Sequence, residues 1–521
     1  MTAQDTSFDE TVDVIVAGSG GGITGAYTAA REGLSVVLVE STDKFGGTTA
    51  YSGGGGMWFP CNPVLRRAGS DDTIDKALNY FHAVIGDRTP RDLQETYIRR
   101  GPGLIEYLEA DPEHFTFSVL PWPDYFGKAP DSRGDGLRHI VAAPIRGEKL
   151  GPYAGFVRGP LDHDRLGAPA PDKLFGGRAL IGRFLGALAG YPDATLYRNA
   201  QLTDLITDER GRVVGAVVQR DGEAVRIGAR RGVLLAAGGF EHNPELRQSY
   251  GVPGQSRDTM GGPGSTGAAL QAAIRIGAAT DLMDQAWWSP GLTHPDGRSA
   301  FALWFTGGIF VNQAGQRFVN ESSAYDRIGR EIIDEMQAGR LEVPFWMVYD
   351  NREGEVPPVK ATNVSMVDTE SYRAAGLWRS ASTLAELAEL LGMPATALEK
   401  TVARYNEMVA AGSDTDFGRG DEAYDRAFSG GESPLVPIDT PPFHAAAFGL
   451  SDLGTKGGLR TDPRARVLDE SGRPIPGLYA AGNTMAAVSG TTYPGGGNPI
   501  GASMLFSYLA ALDMAGDVRS A

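Results

Sequence analysis

One cysteine, Cys61, is all the thiol chemistry this 521-residue chain holds. A single thiol excludes an intrachain disulfide and fits a reducing compartment. No His motif accompanies Cys61, so it is expected to be inert rather than a nucleophile. Basic residues are scarce: 48 Lys and Arg stand against 64 Asp and Glu, a net charge of −16. Such a polyanion has no electrostatic basis for gripping a phosphate backbone, and no nucleic-acid partner is expected. The best apolar window, Ala179 to Ala189, is broken by Arg183, so no transmembrane segment is expected. No basic stretch followed by an apolar run stands near the start. A cytoplasmic location is therefore expected, with peripheral membrane contact left open. The seven His form no ligand cluster, and no metal site is expected.

Glycine is abundant instead: 71 residues, roughly twice the usual share. It clusters in turns, which places backbone close to a ligand. Thr11 to Ala17 (TVDVIVA) reads as a buried parallel strand. Gly18, Gly20, Gly21, Gly22 and Gly25 follow, then a helix over Ile23 to Glu32 and a second strand over Leu34 to Val39, with Glu40 at its end. A strand feeding a glycine turn and a helix gathers free N–H groups and the positive helix end at one point, which suits a pyrophosphate. Gly18 permits the tight turn, Gly20 and Gly22 let backbone approach phosphates, and Gly25 permits close helix–strand packing. The Glu40 carboxylate is placed to accept ribose hydroxyls. The spacing is G-x-G-x-G-x-x-G, because Ile23 holds the third position of the strict fingerprint.

Further along, 46–56 is a second glycine cluster and 111–175 reads as irregular. Helices are expected near 178–189, 266–278, 326–338, 382–391, 396–411 and 501–514. Short strands fall over 200–227, a buried strand over Gly232 to Ala237, and another over Leu478 to Ala481. A hairpin is read over 309–320, and 413–443 reads as a Gly/Asp/Pro-rich connection. Asp452, Lys456 and Arg460 read as a surface loop or hinge.

These pieces carry a resemblance. DVIVAGSGGG (13–22), VVLVE (36–40), GGTTAYSGGG (46–55), VLLAAGGFE (233–241), GQRFVNE (315–321) and GLYAAGN (477–483) resemble the fumarate reductase/succinate dehydrogenase flavoprotein superfamily, in order and over nearly the whole length. The resemblance implies that the dinucleotide is FAD. The candidate contacts are Gly18, Ser19, Gly20, Gly22 and Glu40; Gly47, Thr48, Thr49, Ser52, Gly53 and Gly54; Ala237 and Gly238; Gly482 and Asn483; and Asn498 and Ile500. Members with covalent FAD carry a linking His in the segment matching 46–56. None stands there, so non-covalent FAD is expected.

Tyr493-Pro494-Gly495-Gly496-Gly497 is similar to the Y-P-G-x-G of 3-ketosteroid Δ1-dehydrogenases, and by context Tyr325 and Tyr125 match further tyrosines of that family. The resemblance implies a 1,2-desaturation of a 3-ketosteroid. Tyr493 and the Gly497 N–H would polarise the ketone, Tyr325 would take the carbon-2 proton with Tyr125 supporting it, and flavin N5 would take the carbon-1 hydride. The aromatic wealth around 285–310 favours an apolar substrate. No second glycine fingerprint for NAD is visible, so an external acceptor, a quinone or another carrier, is expected. Two readings stay open. One is a sibling flavoenzyme, either a Δ4-dehydrogenase or a fumarate-reductase-like enoate reductase with Arg460, His444 and Arg327 as carboxylate clamps. The other is a non-catalytic flavin-binding protein. The expected fold is α/β: a Rossmann-like FAD-binding domain from 1–284 and 444–521, interrupted by an α+β catalytic domain from 285–443.

Overall fold

The computed structural model describes residues 7–516. Glu10–Ala17 forms the first strand (β1), and Val14, Ile15 and Val16 are wholly buried in it. The glycine turn leads into Gly22–Arg31 (α1) and then Val36–Val39 (β2). β1 lies between β2 and the strand Glu223–Leu235, parallel to both. Pro474–Ala480 adds on the far side of Glu223–Leu235 and Ala194–Tyr197 beyond β2, both again parallel. Strands covered on both faces need continuous apolar runs, which Val14 to Ala17 in β1 and Val36–Val39 in β2 supply. The two strands expected across 223–237 are one 13-residue strand, Glu223–Leu235. Its outer half pairs antiparallel with Val213–Arg220 through the expected Asp221-Gly222 turn, where both residues have positive φ.

α1 and the final helix, Asn498–Ala515, pack side by side on this sheet. A Cβ at Gly25 would stand 2.6 Å from Leu234 Cδ2 and 3.0 Å from the Ser507 carbonyl, so only glycine permits the approach.

The second sheet is antiparallel. Its order is Ile309–Val311, Phe345–Asp350, Phe443–Thr455, Ala286–Thr293, Ser299–Phe305 and Val359–Thr362, with Trp378–Ala381 also on Phe443–Thr455. The helix Tyr325–Gln337 crosses Ala286–Thr293 so closely that a Cβ at Gly329 would meet Trp288 at 2.8 Å. The boundary expected at 443/444 falls at the head of the long strand, whose pairings put it in this second sheet through Thr455.

Several expectations change. The 309–320 hairpin reduces to a Val311–Arg317 bridge, because Phe310 N–H donates to Glu321 Oε1 at 3.0 Å and Ile309–Val311 pairs with Phe345–Asp350 instead. Within 111–175, Phe117–Val119 and His139–Ala142 form a small sheet with Gly56–Trp58. The 413–443 segment is no solvated linker: Arg419 is wholly buried, donating to Gly308 O at 2.7 Å and Ser322 Oγ at 2.9 Å. Asp452 and Lys456 are buried too, and only Arg460 of that trio is exposed.

Candidate functional site

A cavity of about 500 Å³ runs from the end of β2 to a cluster of tyrosines between the two sheets. At one end the glycine turn forms its wall. Gly18 has φ +97°, and a Cβ there would overlap Ala236 O at 2.2 Å. Gly20 alone in the turn could take a Cβ without overlap, its nearest neighbours then Thr49 Oγ1 at 3.4 Å and Gly46 O at 3.7 Å. Gly21 touches the cavity but backs onto Ser503 Oγ, 1.5 Å from a built Cβ. Gly22 lies off the wall, and a Cβ there would stand 2.9 Å from Ala236 Cβ and 3.0 Å from Val16 Cγ1, so close helix–strand packing also requires glycine at this position. Gly21 caps the start of α1 and Gly497 the start of the final helix, neither with a side chain to bond the first N–H groups. Two positive helix ends therefore face one cavity with their N–H groups free of capping side chains.

Glu40 is buried here. Its Oε2 accepts from Ser19 Oγ at 2.5 Å and its Oε1 from Thr42 Oγ1 at 2.8 Å and Thr42 N at 3.0 Å. Ser19 Oγ in turn accepts from Gly46 N at 2.8 Å, tying the two glycine clusters together. Gly47, Thr48, Thr49, Ser52, Gly53 and Gly54 line the cavity, as do Ala237, Gly238, Gly482, Asn483 and Ile500. Asn498 is buried but sits behind this wall, in a small neighbouring hollow. The fit to a dinucleotide is good: a glycine turn on the wall, two uncapped helix ends and the buried Glu40 carboxylate beside the turn.

At the other end, Tyr125, Tyr325 and Tyr493 converge from three distant segments. Ring centroids are 5.5 Å apart for Tyr125–Tyr325, 5.1 Å for Tyr125–Tyr493 and 5.5 Å for Tyr325–Tyr493. Gly497 N–H donates to the Tyr493 hydroxyl at 3.2 Å, which sets the two groups side by side. Gly497 has φ +85°, and a Cβ would overlap Gly56 O at 1.8 Å. Burial pushes the Tyr125 and Tyr325 phenols well above their ordinary value, and the neighbouring tyrosines add to it. Burial also pushes Tyr493 up, to about 12, held back by the Tyr325 hydroxyl and the Gly497 N–H. Trp287, Phe301 and Leu303 complete an apolar wall, so the aromatic stretch near 285–310 does line the cavity.

Sequence reasoning missed Asp124. It accepts from Trp58 Nε1 at 2.8 Å and from Arg138 Nη1 at 2.7 Å, anchoring the residue before Tyr125. The Trp122-Pro123-Asp124-Tyr125 context carried that signal. The carboxylate clamp does not assemble. His444 bonds Ser380 and Asn351, Arg327 pairs with Glu422 at 2.9 Å, Arg460 is exposed, and none lines the cavity. The one arginine on the wall, Arg158, donates to Thr42 Oγ1 at 2.6 Å, beside Glu40. Cys61 is buried, and burial pushes its thiol up to about 11, which opposes nucleophilic use. Among the described residues no group of three or more His, Cys, Asp or Glu could hold a metal, and no helix is long and apolar enough to cross a membrane.

The FAD binding domain family matches residues 13–500. A 3-oxosteroid 1-dehydrogenase of Mycolicibacterium smegmatis is 37% identical, over 96% of this chain and 97% of that protein. A 4-oxocyclohexanecarboxylate 2-dehydrogenase of Sinomonas cyclohexanicum is 34% identical, over 97% of this chain and 93% of that one. The crystal structure of 3-ketosteroid Δ1-dehydrogenase from Sterolibacterium denitrificans in complex with 1,4-androstadiene-3,17-dione superposes with a TM-score of 0.88 at 32% identity, covering 97% of this chain and all of that one.

Proposed function

The chain belongs to the FAD binding domain family and, within it, to the 3-oxosteroid 1-dehydrogenase branch, and from that premise we propose that it introduces a 1,2 double bond into 3-ketosteroids. The observation that carries this reading is the convergence of three buried phenols and the Gly497 N–H at the apolar end of a cavity whose other end fits a dinucleotide. In this reading the parallel sheet is a Rossmann-like cofactor domain, interrupted by a catalytic α+β domain that begins at 285. The return crossing is drawn after Thr455, where the long strand ends.

Tyr493 and Gly497 donate to the ring ketone oxygen. That pair stabilises the charge that develops as carbon 2 loses its proton. Tyr325 takes the proton, and Tyr125 is placed to support the phenolate that does so. FAD, held without a covalent bond, supplies the acceptor for the carbon-1 hydride when it is bound. The uncapped N-terminus of the final helix favours negative charge at the same spot. Gly18, Gly20 and the α1 N-terminus hold the pyrophosphate, and Glu40 the ribose. Electrons leave to an external carrier, a quinone being the candidate class.

The apolar wall favours a neutral ring system over a carboxylate. Arg158, the one arginine lining the cavity, lies away from that wall beside Glu40 and pairs with Asp164 at 3.4 Å. The test is anaerobic mixing of the yellow protein with a 4-ene-3-ketosteroid, with products weighed. Bleaching together with a product two mass units lighter and unsaturated at carbons 1 and 2 is expected. Persistent yellow colour with folded protein would overturn the reading, and a double bond at carbons 4 and 5 from a saturated ketosteroid would move it to the sibling Δ4 reaction. With 4-oxocyclohexanecarboxylate in the same panel, no bleaching is expected.

A further inference from the structure

The hydroxyl that grips the ketone and the one that takes the proton arrive on different parts of the chain. Tyr493 follows the parallel sheet, whereas Tyr325 opens a helix of the second sheet's layer. Something must fix their spacing. Lys456 lies at the seam, directly after the long strand Phe443–Thr455, and it is the one buried lysine among the described residues. Its Nζ donates to Thr492 O at 3.0 Å and Thr491 O at 3.1 Å, and pairs with Asp326 Oδ1 at 3.5 Å. Thr492 is the residue before Tyr493, and Asp326 is the residue after Tyr325. The same Nζ stands 4.2 Å from the Trp287 ring centroid, and that ring meets Tyr493 edge-on at 5.0 Å.

A wholly buried lysine is costly unless it is paired. The desaturation chemistry makes no use of this one, and it does not line the cavity. The charged groups facing it are Asp326 and Arg330, both on the Tyr325 helix, and Arg330 donates to Asp326 Oδ2 at 3.0 Å. Burial drives Lys456 down to about 7, so ammonium and amine are both accessible near neutrality. Either form can donate to the two carbonyls.

We propose that Lys456 is a positioning residue that pins the Thr491–Tyr493 segment to the first turn of the Tyr325 helix and so sets the distance between ketone grip and base. Its kinetic consequence rests on the desaturation reading; its geometry does not. A misplacement near 1 Å costs on the order of 100-fold in rate. Lys456→Met is therefore expected to slow the limiting rate of anaerobic flavin reduction by a 4-ene-3-ketosteroid roughly 10- to 100-fold, with a much smaller change in steroid affinity. Lys456→Arg, which keeps donors and charge at the seam, is expected to recover part of that rate. Should the Met variant fail to hold FAD, Asp326→Asn loosens the same pin from the opposite side and is read by the same limiting rate. A crystal structure of the Met variant gives an answer that does not depend on turnover. Tyr325–Tyr493 rings farther apart than 5.5 Å support the pin even if steroid fails to bleach the wild type, which would sink only the desaturation reading. A limiting rate within twofold of wild type, or unchanged ring spacing, overturns the proposal.

Discussion

A phenol is almost wholly protonated at neutral pH, and burial makes Tyr325 a weaker acid still, well above its ordinary value of 10, so its phenolate is scarcer though more basic. The sign of the pH dependence follows. Proton abstraction needs the phenolate, whose fraction grows about tenfold per pH unit below the pKa. The limiting rate of flavin reduction should therefore climb throughout pH 7 to 10 without a plateau. A rate that levels off near pH 7 in stopped-flow traces would exclude Tyr325 as the base. Tyr493 has a different duty, since it donates rather than accepts. Tyr493→Phe removes one of two donors from the developing oxyanion, for which the expected loss is about 100- to 1000-fold in limiting rate, roughly 3–4 kcal/mol. FAD content should stay at the wild-type level, because the phenol sits at the apolar end of the cavity. A loss under fivefold would leave the Gly497 N–H acting alone and the paired grip disproved.

At the scale of elements, the cofactor end depends on two helices meeting without side chains between them. A Cβ at Gly21 would stand 1.5 Å from Ser503 Oγ on the final helix. Gly21→Ala should push the helices apart, move both uncapped N-termini and release FAD, read as flavin lost on gel filtration. Ser503→Gly in the same chain clears the space and should restore flavin; a double variant as colourless as the single would show that the contact is not the cause. This dependence was partly legible in the sequence. The glycine spacing, the apolar runs of β1 and β2, and the placement of Glu40 all follow from local pattern, because a buried parallel strand and a glycine turn leave short-range signatures. The division of labour among the glycines was not legible. That Gly22 must also pack on Ala236 is decided by a strand more than two hundred residues away. The same holds for 309–320, where local composition favours a hairpin but the Glu321 carboxylate takes the Phe310 N–H first. The tyrosines were found by resemblance, since nothing local distinguishes Tyr125 from a packed aromatic.

Over the whole molecule, the buried charges at the seam escaped sequence reasoning for a similar reason. Asp452 and Lys456 sit among glycines and read as a polar loop, yet tertiary partners bury both. Asp452 lies on the long strand of the second sheet, while Arg247 lies on the helix Pro244–Tyr250 that follows the cofactor sheet. They pair at 2.8 Å with side chains only 2–3% exposed, and Thr259 Oγ1 donates to the same carboxylate at 2.6 Å. Nearby Glu241 is fully buried, and burial, with the Asp452 charge adding to it, raises its pKa. Glu241 accepts from Thr455 N at 3.2 Å, so Asp452 is the carboxylate that the arginine pairs with across the interface that encloses the cavity. Breaking such a pair from one side strands a charge in low dielectric, whereas removing both members costs far less. Arg247→Met should accordingly destabilise the protein by about 3–5 kcal/mol in urea unfolding. Arg247→Met with Asp452→Asn should cost clearly less than the single change, because no carboxylate is then left without its cation. Should the two substitutions instead add, the pair would be packing like any other side chains. The lobes would then owe their alignment to the strand crossing and to Lys456 rather than to this charge.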